Sequence, residues 1–336
     1  MRIPETPELF RILYEIAADG AREETLLGSG YDQAMEVFRK TRITADFPNV
    51  YLEFPLAGEP SFDLLIGYDR CRYGERFTEG NGYGYQRMFD FLSSLGDGHS
   101  MACGFEMDLS SGITDRPAVY FQHYGNLSYV KPFLESVQET GRLDDYLHYA
   151  KLLAPEWKAD YIGLFPQRTG SPTRIGGYLS EDEVHRCISE TDRLAVLMKR
   201  IGFPAWNDDM QRQCLRILSL APSADVQFDI QSDGSLSDTF GLAVSFNEVS
   251  PKDSFSCMQE GFGRKLMEMF ESWGIADRRW QSIAQAVTSK GVPVQNAEGK
   301  DILLGLLVTL NYAKVKFRGG KPENARFYLS LKAKQM

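Results

Sequence analysis

Several residue patterns are scarce in this chain of 336 residues, and each scarcity closes off a class of chemistry. The four histidines, His99, His123, His148 and His185, show no H-x-x-x-H spacing. No two of the five cysteines, Cys71, Cys103, Cys187, Cys214 and Cys257, form a C-x-x-C pair. Neither a zinc site nor a disulfide framework is therefore signalled. The cysteines read as reduced structural thiols and the histidines as surface or loop residues, with His123 set apart by its place at the end of a strand. Basic charge is also short: 37 Lys and Arg against 46 Asp and Glu leave a net charge of -9. Nucleic-acid binding needs a basic footprint and is not expected. No apolar run reaches the roughly 18 residues of a membrane span. The N-terminal Met1-Arg-Ile-Pro-Glu-Thr has no secretory apolar segment and reads as a cytoplasmic start. Asp208-Asp209 would need a third Asp to hold magnesium and meets Arg212 instead, and Asp144-Asp145 meets His148. Nor is there a P-loop, a nucleophile elbow or a dinucleotide fingerprint, since Gly80-Asn-Gly-Tyr-Gly is not set in a strand–turn–helix unit.

What the chain has is a recurrence. Five times a pair of strand-like runs is bracketed by amphipathic helical segments: 49–58 with 61–70, 101–109 with 117–124, 159–167 with 173–180, 224–231 with 239–247, and 308–318 with 325–332. Turn residues separate the members of each pair, as in Thr169-Gly-Ser-Pro and Gly319-Gly-Lys-Pro. Helical periodicity is expected over 31–40, 86–95, 129–138, 143–153, 181–201, 208–220, 256–273 and 279–288, besides the opening Leu9, Ile12, Leu13 and Ile16. The Tyr73–Tyr85 stretch, rich in Gly and Tyr, reads as a surface loop. Ten strands joined as antiparallel hairpins suffice to close a barrel without an open edge. The fold class expected is α+β: a ten-stranded antiparallel β-barrel inside an outer, solvent-exposed ring of helices, one domain over 1–336.

Alternation of side chains along a strand then assigns an outer face to the helices and an inner face to the lumen. Val50, Leu52 and Phe54 point outward and leave Tyr51 and Glu53 inward. Phe62, Leu64 and Ile66 likewise leave Asp63. Further inward positions are Glu106 and Asp108; Ala118, Tyr120 and Gln122; Arg174, Gly176 and Tyr178; Gln227 and Asp229; Tyr312, Lys314 and Lys316; and Arg326 with Tyr328. Tyrosines, cations and carboxylates in a lumen suit a barrel wide enough to hold a ligand.

At this point the chain resembles the ABBA-type aromatic prenyltransferases, the family of the dimethylallyltryptophan synthases, whose α-β-β-α unit repeats five times around such a barrel. The resemblance spans nearly the whole chain in element order. Its local matches are short: Phe62-Asp-Leu-Leu-Ile-Gly, Gly104-Phe-Glu-Met-Asp, Thr173-Arg-Ile-Gly-Gly-Tyr-Leu, Phe240-Gly-Leu-Ala-Val-Ser-Phe and Tyr312-Ala-Lys-Val-Lys-Phe with Ala325-Arg-Phe-Tyr-Leu. It implies transfer of an allylic prenyl group from its diphosphate to an electron-rich aromatic acceptor, an indole, a phenol or a peptide aromatic, of the kind natural-product biosynthesis uses. Arg174, Lys314 and Arg326 would hold the diphosphate through charge-assisted hydrogen bonds. Tyr120, Tyr178, Tyr328 and Tyr312, with Gln122 and Asp229, would shield the allylic cation and line the substrate. Glu53 would orient the acceptor and help remove its proton. No cofactor is required on this reading, and the protein's default state is a monomer.

Two departures are visible. Ala118 and Gly176 stand two residues before Tyr120 and Tyr178, where the family places lysines. Each lost charged hydrogen bond is worth roughly 1.5–3 kcal/mol. The inward set is also rich in carboxylates, which repel diphosphate unless magnesium bridges the two. The sequence therefore keeps open a barrel enzyme with non-prenyl chemistry, such as a cyclase or isomerase, and a barrel that only binds a small molecule.

Overall fold

The computed structural model describes residues 5–21, 26–41, 49–69, 86–95, 102–109, 116–154, 156–246, 253–295 and 298–335. Tyr73–Tyr85, Cys71 and His99 lie outside them. Eleven strands form one antiparallel sheet: β1 (Asn49–Pro55), β2 (Asp63–Asp69), β3 (Ala102–Met107), β4 (Ala118–Gln122), β5 (Ala159–Leu164), β6 (Thr173–Leu179), β7 (Ala224–Ile230), β8 (Leu236–Ser245), β9 (Thr288–Gln295), β10 (Asp301–Arg318) and β11 (Lys321–Gln335). Neighbours run β1 to β8 in chain order, then β10 and β11, and β11 returns to β1. The result is a closed ten-stranded barrel with one extra strand, β9, paired to the first half of β10.

That extra strand was not expected. The 279–288 segment forms a 3₁₀ turn, Arg278–Ser282, and one short helix, Ile283–Ala286, before β9 begins at Thr288. Pro293 in β9 is tolerated because the strand is an edge, with β10 its only partner among the described residues. The last hairpin is longer than its alternation suggested. Gly319 and Gly320, at φ 56° and 76°, make a two-residue turn of the type that matches strand twist.

Two expected helices are each split in two. Gly261 divides 254–272 into Ser254–Gln259 and Phe262–Ser272. In 181–200 the break falls at Glu190–Asp192, where the Ser189 hydroxyl donates back to the His185 carbonyl at 2.9 Å and competes with the helix ladder. Two helix starts are capped as their sequences indicate: Asn207 accepts from the Met210 N–H at 2.9 Å and Ser180 from that of Glu183.

The core is the layer between barrel and helices. Val50, Leu52, Phe54, Phe105, Phe121 and Phe327 leave the outer barrel face fully buried. The Phe121 ring stacks on Phe133 of helix Val130–Ser136 at 4.9 Å, and Tyr68 meets Phe89 of helix Gln86–Ser94 edge-on at 5.4 Å. Each such ring contributes roughly 1.5–3 kcal/mol by burial. Because this face is apolar, the alternation fixes the register and turns every intervening polar residue inward. The functional question then concerns one set of side chains.

Candidate active site

Antiparallel register sets charged residues of the inner face against one another. Glu53 of β1 lies directly opposite Asp63 of β2 on one side and Tyr328 of β11 on the other. Lys314 of β10 lies opposite Arg326 of β11. The side chains close into a cluster: Arg326 reaches Asp63 at 2.7 Å and Glu53 at 3.5 Å, Lys314 reaches Glu53 at 3.5 Å, and the Lys314 ammonium donates to the Tyr328 hydroxyl at 2.7 Å. Tyr312 stands perpendicular to Tyr328 with ring centres 6.3 Å apart.

A second cluster is built on β3, β4, β6 and β7. Arg174 opposes Asp229 in register and holds it bidentately, at 2.8 and 3.1 Å. Its other amine reaches the Tyr120 hydroxyl at 3.4 Å, and that hydroxyl donates to Glu106. Glu106 lies opposite Ala118, which offers no charge. The missing cation arrives from elsewhere. Arg168, in the turn after β5, inserts its guanidinium onto Glu106 and onto Asp108 at 2.9 and 3.2 Å. The guanidinium carbons of Arg168 and Arg174 lie 4.1 and 4.4 Å from the centre of the buried Phe165 ring, a cation–π platform for both.

The two clusters share one electrostatic field. Burial works to raise Glu106, but Arg168, Lys314 and Arg174 outweigh it and hold the carboxyl down at about 2. Burial also works to raise Asp229, and Arg174, Arg168 and Lys314 again prevail and lower it. Desolvation lowers Lys314, with Arg174 and Arg326 pushing the same way against Glu53 and Glu106. Thus β6, the β5–β6 turn, β10 and β11 bring four cations to one region of the lumen, amid five carboxylates. Asp63 moves opposite to Glu106 and Asp229: burial pushes it up to about 6, Glu53 adds to the rise, and its pair with Arg326 does not compensate. Burial raises the tyrosines Tyr120 and Tyr328 well above their ordinary range, so they are hydroxyl donors at neutral pH.

Of the residues expected from the sequence, Glu53, Arg174, Lys314, Arg326, Tyr120, Tyr328, Tyr312 and Asp229 meet in these clusters. Tyr178 and Gln122 do not. Tyr178 is 43% exposed, and Gln122 is exposed and accepts from the Tyr124 hydroxyl at 3.2 Å. The absence of a cation at Gly176 has a steric reason: a Cβ there would lie 2.1 Å from atoms of the Tyr161 ring. Gly163 is similarly roofed by Tyr120, whose ring lies 2.8 Å from where a Cβ would be. His123 turns away from the lumen. It is fully buried, holds the Tyr146 hydroxyl at 2.7 Å, and burial lowers it to about 4, so it is a neutral structural residue.

Sequence reasoning missed Arg168, Phe165, Tyr161 and Asp225. Asp225 faces the lumen opposite Tyr178 and Ala243, without a hydrogen bond or ion pair among the described residues, and desolvation with the nearby Asp160 raises it to about 7. No group of three His, Cys, Asp or Glu able to hold a metal occurs among the described residues, and no helix there is long and apolar enough to cross a membrane.

By sequence, neither a protein-family model nor a curated protein matches the chain. By structure, solved proteins do. The 5-dimethylallyltryptophan synthase of Streptomyces coelicolor superposes with a TM-score of 0.53 at 10% identity, covering 97% of this chain and 96% of that one. The ternary complex of the prenyltransferase PriB with L-tryptophan and dimethylallyl thiolodiphosphate gives 0.53 at 12%, over 98% and 96%. The 6-dimethylallyltryptophan synthase of Micromonospora olivasterospora, in complex with DMASPP and Trp, gives 0.52 at 10%, over 98% of both chains. The match extends over nearly the full length of each chain. The chain has the fold of the ABBA-type aromatic prenyltransferases.

Proposed function

We propose that this protein moves an allylic prenyl group from its diphosphate to an aromatic acceptor inside the barrel. The observation that carries the reading is the convergence of Arg168, Arg174, Lys314 and Arg326 on one lumen region among Tyr120, Tyr312 and Tyr328. The structural neighbours include enzymes captured with a dimethylallyl thiolodiphosphate and tryptophan, which is the ligand chemistry that such a constellation fits.

The guanidinium and ammonium groups take the diphosphate oxygens as the allylic C–O bond breaks and its electron pair leaves with the diphosphate. Tyrosine faces stabilise the carbocation left behind. The acceptor ring attacks it, forming the new C–C bond, and Glu53 takes the proton whose C–H pair restores aromaticity. Arg168 substitutes for the cation that Ala118 lacks, and Arg174 acts without a lysine at 176.

One observation favours a second reading. Each of the four lumen cations already contacts a carboxylate: Arg168 on Glu106 and Asp108, Arg174 on Asp229, Lys314 on Glu53, and Arg326 on Glu53 and Asp63. A donor must displace these partners, whereas a neutral or zwitterionic ligand of a cyclase or isomerase would not have to. The test is incubation with dimethylallyl or geranyl diphosphate and panels of indoles, phenols and aromatic peptides, with and without magnesium, read by mass spectrometry. A product heavier by one prenyl group, suppressed in Glu53→Gln, is expected. No prenylated product and no diphosphate release across the panel would favour the second reading.

A further inference from the structure

Glu53 and Asp63 are register partners on adjacent strands, 2% and 5% exposed, and both contact the same Arg326. Each also has one carboxyl oxygen, Glu53 Oε2 and Asp63 Oδ1, that is buried without a hydrogen-bond partner among the described residues. Two like charges this close, with two orphaned acceptors, form a costly arrangement. A single proton relieves both costs. It removes one of the charges, and it turns one orphaned acceptor into a donor.

We infer that Glu53 and Asp63 hold one proton between them when an anion occupies the lumen, with Asp63 the member that takes it up as Arg326 turns from Asp63 to the anion. Asp63 is therefore a positioning residue: it acts through Arg326 and Glu53 rather than on the substrate. The preference for Asp63 follows from its surroundings. Glu53 faces two cations, Lys314 and Arg326, whereas among the described residues Asp63 pairs with Arg326 alone, with the charges of Glu53 and Asp108 beside it. Tyr328 of β11 and Glu106 of β3 complete the titratable groups around the pair. Burial already sets Asp63 at about 6 in the unliganded lumen, so at about pH 7.5 most molecules begin with it ionised and have a proton to gain. At about pH 5 they begin with it protonated and gain little. An incoming anion raises Asp63 further, by adding negative charge and by taking Arg326 from it.

The uptake rests on the donor reading given above; the starting protonation state of Asp63 does not. Two measurements separate them. Calorimetric titration of dimethylallyl thiodiphosphate, and of inorganic diphosphate, in two buffers of different ionisation enthalpy counts the protons taken up. Asp63→Asn, run in parallel, subtracts the ionisation of the ligand itself. The difference between wild type and Asp63→Asn should approach one proton per site at about pH 7.5 and shrink towards about pH 5. A difference of zero at both values overturns the inference. Infrared spectra of the free protein should show a carboxylic-acid carbonyl band titrating near the value set by burial. Asp63→Asn should remove it, Glu53→Gln should shift its titration to lower pH, and Asp225→Asn should leave it. Should neither probe bind wild type, the donor reading fails. The pair is then judged by the infrared spectra alone, and absence of an Asp63-dependent band, or indifference of that band to Glu53→Gln, overturns it.

Discussion

Replacing Arg174 by Met removes a bidentate ion pair of the lumen from one side only. Asp229 loses both hydrogen bonds, at 2.8 and 3.1 Å, and the guanidinium leaves Phe165 and the Tyr120 hydroxyl. Breaking a buried pair this way costs about 3–5 kcal/mol, because the remaining charge is stranded. The Asp229 side chain keeps 14% exposure, and Arg168 and Lys314 still act on it, so the lower end, about 3 kcal/mol, applies. For a chain of this length that is roughly 4 °C in Tm. Arg174→Met/Asp229→Leu removes the stranded charge and should return to within about 1 kcal/mol of wild type. The pH dependence gives an internal check. In wild type Arg174 holds Asp229 below its ordinary range, so the pair's stabilisation is present above that range and is lost as pH falls through the native value. In Arg174→Met burial is less opposed and Asp229 rises, so the deficit should be largest at neutral pH and shrink on acidification. Chemical denaturation of the three proteins across pH measures this. Equal instability of the single and double variants, or a deficit indifferent to pH, would refute the reasoning.

Three further outcomes follow from the same geometry. Tyr120→Phe removes the hydroxyl shared by Glu106 and Arg174 and should cost about 1–3 kcal/mol in urea denaturation. Gly176→Lys should not restore a diphosphate cation. Its Cβ meets the Tyr161 ring, so a loss of about 1–3 kcal/mol and an altered tyrosine near-ultraviolet signal are expected, and adding Tyr161→Ala should cost less than it does in the wild-type background. Asp63, raised from 3.8 to about 6, binds its proton more tightly in the native state, so its contribution is fully present below the lower value and falls by ~3 kcal/mol as pH climbs through that interval. Asp63→Asn should flatten stability against pH there, which denaturation midpoints from about pH 3.5 to 6.5 would reveal.

The barrel was legible because its outer face is uniformly apolar. With Val50, Leu52 and Phe54 committed to the helices, period two leaves Glu53 no place but the lumen, and the same logic finds Arg174, Asp229 and Lys314. Arg168 was not legible because it lies in a turn, where no periodicity says which way a side chain points. One sign was present in the sequence: Glu106 and Asp108 are inward acids, and Ala118, expected to carry a cation, cannot balance them. Gly176 was read as a missing lysine, whereas sterically it is the space that Tyr161 fills. Asp225 escaped because nothing local distinguishes an unpaired lumen carboxylate from a paired one. β9 escaped because Lys290, Gly291 and Pro293 dilute its strand pattern, as edge strands tolerate.

The central claim is that the lumen cations hold a prenyl diphosphate. Calorimetric titration of dimethylallyl thiodiphosphate into wild type, Lys314→Met and Arg326→Met tests it most directly. The account predicts one site per chain in wild type and affinity lower by about 10- to 100-fold in each variant, the equivalent of one charged hydrogen bond. No binding to wild type, or equal affinity in all three proteins, would contradict it.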